Sequence, residues 1–432
     1  MTHFGLLCPS VSGHLNPMTT LGYELKQRGH QVTFVGKLDA QPKVLAAGLE
    51  FYPIGKTEFP AGSSKETLAQ LGQLSGLAAL RYTISFFKNF TSTLLKEAPT
   101  AFQNAGVDAL LIDQTSFGGS TVAESLGLPF ISVCCALMIN RDPNVPPFNT
   151  AWRYHPTGWA RLRNQLGYKL IAQLAKPITG LVADYRQQRG LPKFRHPNDA
   201  FSQLAQICQQ PAEFEYPRQS LPSCFHFTGP FSNPASREPT VFPFEKLTGQ
   251  PLIYASLGTL QNQLLDTFQT IAEACQNLDA QLVIALGGGS KPDSLSTLPG
   301  SPLVVEFAPQ LELLQRTSLT ITHAGLNTAL ESLTNGVPMV AIPIANDQPG
   351  VAARIDWTGT GEMVSLKRLS VSQLRGSIER VLTEDSYRAN ALSLQKAIKQ
   401  AGGVKKAADI VEQVVVTGKP VISTHAATKK AG

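Results

Sequence analysis

Residues 6–35, LLCPSVSGHLNPMTTLGYELKQRGHQVTFV, decide the fold. The apolar run HFGLLCP (3–9) reads as a buried strand, and SVSGHLNP (10–17) as the loop after it, carrying His14. MTTLGYELKQRG (18–29) has the periodicity of an amphipathic helix and ends at Gly29, where a helix C-cap belongs. QVTFVG (31–36) is the next strand. Strand, helix and strand in about 35 residues form one βαβ unit and imply a parallel sheet. DALLID (108–113) and PFISVCC (129–135) repeat the pattern around a helix near Ser120–Leu126.

At 432 residues the chain is too long for one ordinary core and fits two domains of roughly 200 residues each. Hydrophobic residues make up 43% and charged residues 16%, a globular balance. A net charge of +6, with no basic run beyond TKKAG near the end, argues against nucleic acid. It suits phosphorylated ligands or an anionic membrane surface. Cys8, Cys134, Cys135, Cys208, Cys224 and Cys275 include no C-x-x-C pair, which predicts buried, reduced thiols and no zinc site. With no signal peptide and no run of 18 apolar residues, the expected location is cytoplasmic, at most peripheral at the inner face of a membrane.

The βα rhythm breaks between about residues 141 and 218, which read as helical insertions on the first domain. Between Ala151 and Pro197, Arg153, Arg161, Arg163, Lys169, Lys176, Arg186, Arg189, Lys193 and Arg195 stand against a single acid, Asp184. A Pro-rich passage follows, and then five strand candidates: LIYASLG, QLVIALG, LVVEFAP, LTITHAG and PMVAIPI. The expected layout is an N-terminal domain over 1–232, a linker over 233–250, a second domain over 251–417 and a loosely ordered tail over 418–432. Both domains are read as doubly wound α/β units facing across a cleft.

Ligands of open α/β sheets sit beyond the carboxyl ends of the strands. There lies FAPQLELLQRTSLTITHAGLNTALESLTNGVPMVAIPIANDQ, residues 307–348. His323 and Gly325 follow a strand and open a helix, Asn327 or Thr328 can cap it, and Glu331 lies one turn further in. Such a helix start favours a phosphate or diphosphate, with Glu331 placed for a ribose hydroxyl. Asp347 and Gln348 suit sugar hydroxyls. The same glycine turn also occurs merely to pack a helix on a sheet, so the residues alone leave both readings open.

This stretch resembles the signature of the UDP-glycosyltransferase superfamily: aromatic-x-P-Q, H-x-G-x-N-[ST]-x-x-E, G-V-P and P-x-x-x-D-Q, all in order. The similarity reaches the N-terminal GHLNP loop, so it covers both domains. It implies the GT-B fold. By resemblance, Phe307 stacks on uracil, Ala308 and Gln310 help hold the base, and His323, Asn327 and Thr328 contact the diphosphate. Glu331 takes the ribose, Asp347 and Gln348 the hexose, and Ser256, Gly258 and Thr259 of SLGT a second diphosphate contact. Plant members carry Trp where this chain has Phe307 and Leu326, and their Gln310-to-His323 spacing is two residues longer. In these departures the chain resembles bacterial members.

Read alone, His14 is a surface or loop-capping histidine and Asp113 a helix N-cap. The resemblance makes His14 the catalytic base and Asp113 its partner. An acceptor hydroxyl is a poor nucleophile, so a base must take its proton as the anomeric carbon is attacked. A carboxylate on the far nitrogen fixes the tautomer and stabilises the imidazolium. Attack opposite the leaving UDP inverts the centre, and His323 with helix N–H groups would neutralise the diphosphate without a metal.

The implied partners are a UDP-sugar donor and a hydrophobic, hydroxylated acceptor, with no cofactor. HLNP and NDQPGVAARI resemble bacterial carotenoid (zeaxanthin-type) glucosyltransferases, while sterol-, phenolic- and macrolide-modifying enzymes share much of the pattern. Phe86, Phe87 and Phe90 in Leu77–Leu95, and the basic, Trp-bearing stretch over 151–195, either meet a membrane or line an acceptor pocket with their charges solvated. Two competing classes are a UDP-sugar epimerase, for which no paired carboxylate motif stands out, and a non-catalytic nucleotide-sugar-binding protein. The absence of G-x-G-x-x-G after the first strand argues against a dinucleotide oxidoreductase.

Overall fold

The computed structural model describes residues 1–74, 76–233, 240–258, 264–288, 292 and 298–423. Its short apolar runs form two sheets. The first contains β1 (His3–Leu7), β2 (Gln31–Gly36), β3 (Glu50–Pro53), β4 (Ala109–Asp113), β5 (Phe130–Cys134), β6 (Gln206–Cys208) and β7 (Phe225–Phe227). The second contains β8 (Leu252–Ser256), β9 (Gln281–Ala285), β10 (Leu303–Val305), β11 (Thr317–Thr322), β12 (Met339–Ala341) and β13 (Gly361–Met363). The orders are β3-β2-β1-β4-β5-β6-β7 and β10-β9-β8-β11-β12-β13, and the pairings are parallel. Strand order therefore reverses between β1 and β4 and between β8 and β11, where open sheets of this kind bind ligands.

The helices preceding the second sheet are α1 (Ser12–Gln27), α2 (Gln41–Ala46), α3 (Ser63–Gln73), α4 (Gly76–Ala105), α5 (Gly119–Leu126) and α6 (Gly158–Gln188). Those that follow are α7 (Leu265–Cys275), α8 (Gln310–Leu313), α9 (Leu326–Thr334), α10 (Gln348–Trp357), α11 (Val371–Thr383), α12 (Asp385–Ala401) and α13 (Gly403–Thr417). Side chains alternate across the first sheet: Phe4 and Leu6 pack beneath α1, while Leu7, Leu110 and Ile112 pack beneath α4 and α5.

Several boundaries differ from expectation. The stretch over 141–218 is more than an insertion, since α6 is one long helix and β6 extends the first sheet. β3, β7 and β13 have only three or four residues each, too few to show a period. Helix α13, expected in the second domain, crosses back: Val404, Ala407, Ala408, Ile410, Val411 and Val414 complete the core under α1. Residues 419–423 are pinned there too, with Val421 buried and bonded to Leu204 and Ser423 bonded to Ser223. Within the expected linker, Phe242 and Phe244 pack on the second sheet.

The two sheets share one apolar cluster. Leu137, Phe148 and Phe214 of the first domain pack with Leu326, Leu330, Val351 and Leu394 of the second. Contact is so close that a Cβ on Gly350 of α10 would fall 1.9 Å from the Phe148 carbonyl oxygen. Beside it lies a buried ion pair, Arg354 to Glu215 at 2.6 and 3.0 Å.

Candidate active site

Helix α1 starts at Ser12 and so holds His14 in its first turn, not in the loop assigned to it. Pro17 lies inside this helix and offers no N–H to the carbonyl four residues back. Here that carbonyl belongs to Gly13, and Asn327 of the second domain donates to it instead, Nδ2 to O at 2.8 Å. His14 and Asp113 follow β1 and end β4, the two strands at the switch point.

His14 Nδ1 lies 2.9 Å from Asp113 Oδ2. The other carboxylate oxygen accepts the Thr115 N–H at 2.7 Å and the Thr115 hydroxyl. Burial works to raise the Asp113 pKa, but His14 and the hydrogen bonds from His14, Cys135 and Thr115 outweigh it and hold the acid below its ordinary range. Burial pulls His14 down; the charge and hydrogen bond of Asp113, helped by Asp347, carry it above 6.5. With Nδ1 committed, Nε2 is the nitrogen left for a substrate proton.

On the facing sheet, β11 leads through His323 and Ala324 to Gly325, the N-cap residue of α9. Ala324 has φ +62° and Asn346, before Asp347, φ +56°, left-handed conformations that cost a side-chain-bearing residue roughly 1–2 kcal/mol. The His323 ring is wedged between two glycines: a Cβ on Gly258 or Gly325 would lie 2.5 Å from Nε2. Its Nδ1 is buried without a hydrogen-bond partner among the described residues. Burial pushes the imidazole down to about 4, so His323 is a neutral hydrogen-bonding ring. Ser256 ends β8 and its hydroxyl accepts the Gly258 N–H at 3.4 Å. Thr259 lies outside the described residues.

Phe307 is 49% exposed, and its ring rests against Gly288, where a Cβ would approach within 2.6 Å. Ala308 is partly buried against the neighbouring core. Gln310, Thr328 and Glu331 come together: Gln310 Nε2 donates to Glu331 at 2.6 Å and reaches the Thr328 hydroxyl at 3.4 Å, while Tyr254 donates to its carbonyl at 3.2 Å.

Three of the expected ligand residues also have structural partners. Asn327 spends both amide atoms across the cleft, on Gly13 and on Gln209 Nε2 at 2.8 Å. Asp347 accepts the Leu137 N–H at 3.0 Å. The Gln348 carbonyl accepts the Ile344 and Ala345 N–H groups at 2.9 and 2.8 Å, holding its own loop. The reading missed Thr115, for which the Asp-x-Thr spacing of a side-chain turn was a usable signal. It also missed Gln209, for which no local signal exists.

The end of β2 opens on an aromatic cluster. Lys37 Nζ sits 4.9 to 5.8 Å from the rings of Phe59, Phe86 and Phe90, and burial lowers it to about 8. Phe86 contacts Phe87, and Phe87 contacts Phe117 at 5.6 Å, on the loop that leaves Asp113.

Residues 11–136 match the glycosyltransferase family 28 N-terminal domain, and residues 194–405 the UDP-glucoronosyl and UDP-glucosyl transferase family. A zeaxanthin glucosyltransferase of Pantoea ananas is 35% identical over 98% of both chains. The chain belongs to the UDP-glycosyltransferase family. A second zeaxanthin glucosyltransferase, from Pseudescherichia vulneris, is 34% identical over 98% of this chain and 100% of its own. The calicheamicin glycosyltransferase CalG4 superposes with a TM-score of 0.73 at 22% identity, over 97% of this chain and all of that one, a likeness of fold. The two sheets are thus the halves of a GT-B glycosyltransferase, and the protein is an enzyme that uses a UDP-sugar.

Proposed function

We propose that this UDP-glycosyltransferase moves glucose from UDP-glucose to a hydroxyl of a carotenoid, with inversion at the anomeric carbon. The observation that carries the mechanism is the His14–Asp113 pair, 2.9 Å apart at one switch point and facing the α9 helix start at the other. His14 Nε2 takes the acceptor proton as the hydroxyl oxygen attacks, and Asp113 stabilises the imidazolium formed. The glycosidic C–O bond to the diphosphate breaks on the opposite face. The N–H groups of α9 and the neutral His323 ring receive the departing diphosphate. Half-exposed Phe307 stacks on the base, and the remaining donor contacts follow the family pattern. Gln348 keeps its Nε2 donors and Asn327 a second N–H for such contacts.

The acceptor assignment rests on the two zeaxanthin glucosyltransferases and on the Phe59–Phe86–Phe87–Phe117 cluster, which suits a long apolar molecule bearing a hydroxyl. The reaction belongs in the cytoplasm, where UDP-sugars are available. The deciding assay is purified enzyme with UDP-glucose and a panel of hydroxylated carotenoids, sterols and phenolics. A carotenoid glucoside should form, persist in a chelator and vanish in His14→Ala. Failure of every UDP- and dTDP-sugar to bind would refute the reading, and preferential transfer to a sterol or phenolic would refute the acceptor.

A further inference from the structure

Helix α6 has two apolar faces. Its inner face, with Ala160, Ile178 and Val182, is buried on the first domain. On the other side Trp159, Leu162, Leu166 and Leu170 are 72, 48, 54 and 62% exposed. At about 100° per residue these four fall in one stripe about 80° wide and about 16 Å long. Single exposed leucines are ordinary. Four in helical register on a helix already packed on its other side mark a contact surface.

The charges around the stripe identify what covers it. Lys169 and Lys176, which border the stripe on one side at the same 100° per residue, are exposed and have no ion pair among the described residues. No acid occurs in α6 before Asp184. An apolar stripe flanked only by cations, with Trp at its end, is the composition of a helix lying in the headgroup layer of an anionic bilayer. Among the described residues no helix is long and apolar enough to cross a membrane, so the contact is with the surface. The Phe86–Phe87–Phe90 group of α4 turns instead toward Lys37 and Phe59, away from this role.

We propose that the outer face of α6 seats the enzyme on an anionic lipid surface. The surface assignment is independent of the acceptor. If the carotenoid reading also holds, the seat brings the enzyme to the phase in which such an acceptor dissolves.

The test is co-sedimentation of the full-length protein with vesicles of phosphatidylglycerol mixed with phosphatidylcholine, and with phosphatidylcholine alone. Binding should favour the anionic vesicles and weaken with salt. Lys169→Gln and Lys176→Gln should each lower it about fivefold. Leu166→Ser with Leu170→Ser should lower it at least tenfold, with unchanged melting temperature and unchanged turnover of a water-soluble phenolic acceptor, or of UDP-glucose hydrolysis if no phenolic is glycosylated. Equal binding to both vesicle types, or binding to neither, overturns the proposal. So does a dimer in sedimentation velocity that the double serine variant splits, because the stripe would then be covered by a second copy.

Discussion

Asp113 has no idle oxygen: one takes His14, the other takes both donors of Thr115. A buried carboxylate held in this way stays ionised, and its charge lifts the His14 pKa. His14 serves as a base only when neutral, so kcat/KM should fall on the acid side through a value above 6.5. Asp113→Asn removes the charge and leaves burial dominant, so this limb should move below 6.5 while the rate at pH 8 drops about a hundredfold or more. A pH–rate profile with UDP-glucose checks both, and an acid limb that stays in place would show that Asp113 does not set the His14 pKa. The pair was legible only because a downstream motif named the family; the Thr115 bonds were legible in principle, since they span two residues. The neutrality of His323 was not, because it follows from the packing of Gly258 and Gly325 around the ring.

Within the elements, the parallel strands and the crossover helices followed from apolar runs and periodicity. Pro17 sits inside α1, although a proline inside a helix normally breaks it. In α1 the carbonyl it frees is used by Asn327, which ties the turn bearing His14 to α9. Pro17→Ala would return an N–H to compete for the Gly13 carbonyl while removing a helix breaker. The melting temperature should hold or rise, since proline in a helix interior costs about 3 kcal/mol relative to alanine. Turnover should fall several-fold as the cross-cleft tie loosens. Calorimetry and steady-state kinetics on one variant separate the two effects, and turnover that rises with stability would mean the freed carbonyl has no role.

Across the molecule, the domains are joined by the shared apolar cluster and by Glu215, which serves Arg354 at 2.6 Å and Arg218 at 3.2 Å, all buried. Burial raises the Glu215 pKa, but the two guanidinium groups more than reverse this. Its stabilisation is therefore complete above the ordinary value of 4.5 and is lost as pH falls through the lower folded value. Removing one member of a buried pair costs about 3–5 kcal/mol because the partner is left without compensation. Glu215→Gln strands two cations and should reach that range. Arg354→Met leaves Arg218 in place and should cost less. Chemical denaturation of the two variants tests this order, and a larger loss in Arg354→Met would place the stabilisation elsewhere.

What the amino-acid order determined by itself is what lies within a few residues: the longer strands, the crossover helices, the family signature and the residue types of the site. Each of these rests on periodicity or on a turn, which are short-range properties of the backbone. Only the tertiary structure decided that α13 belongs to the first core, that Asn327 and Asp347 bond across the cleft, and that α6 leaves an apolar face outside. Those outcomes depend on which surfaces meet when two separately patterned sheets close on each other, and no local pattern encodes that contact.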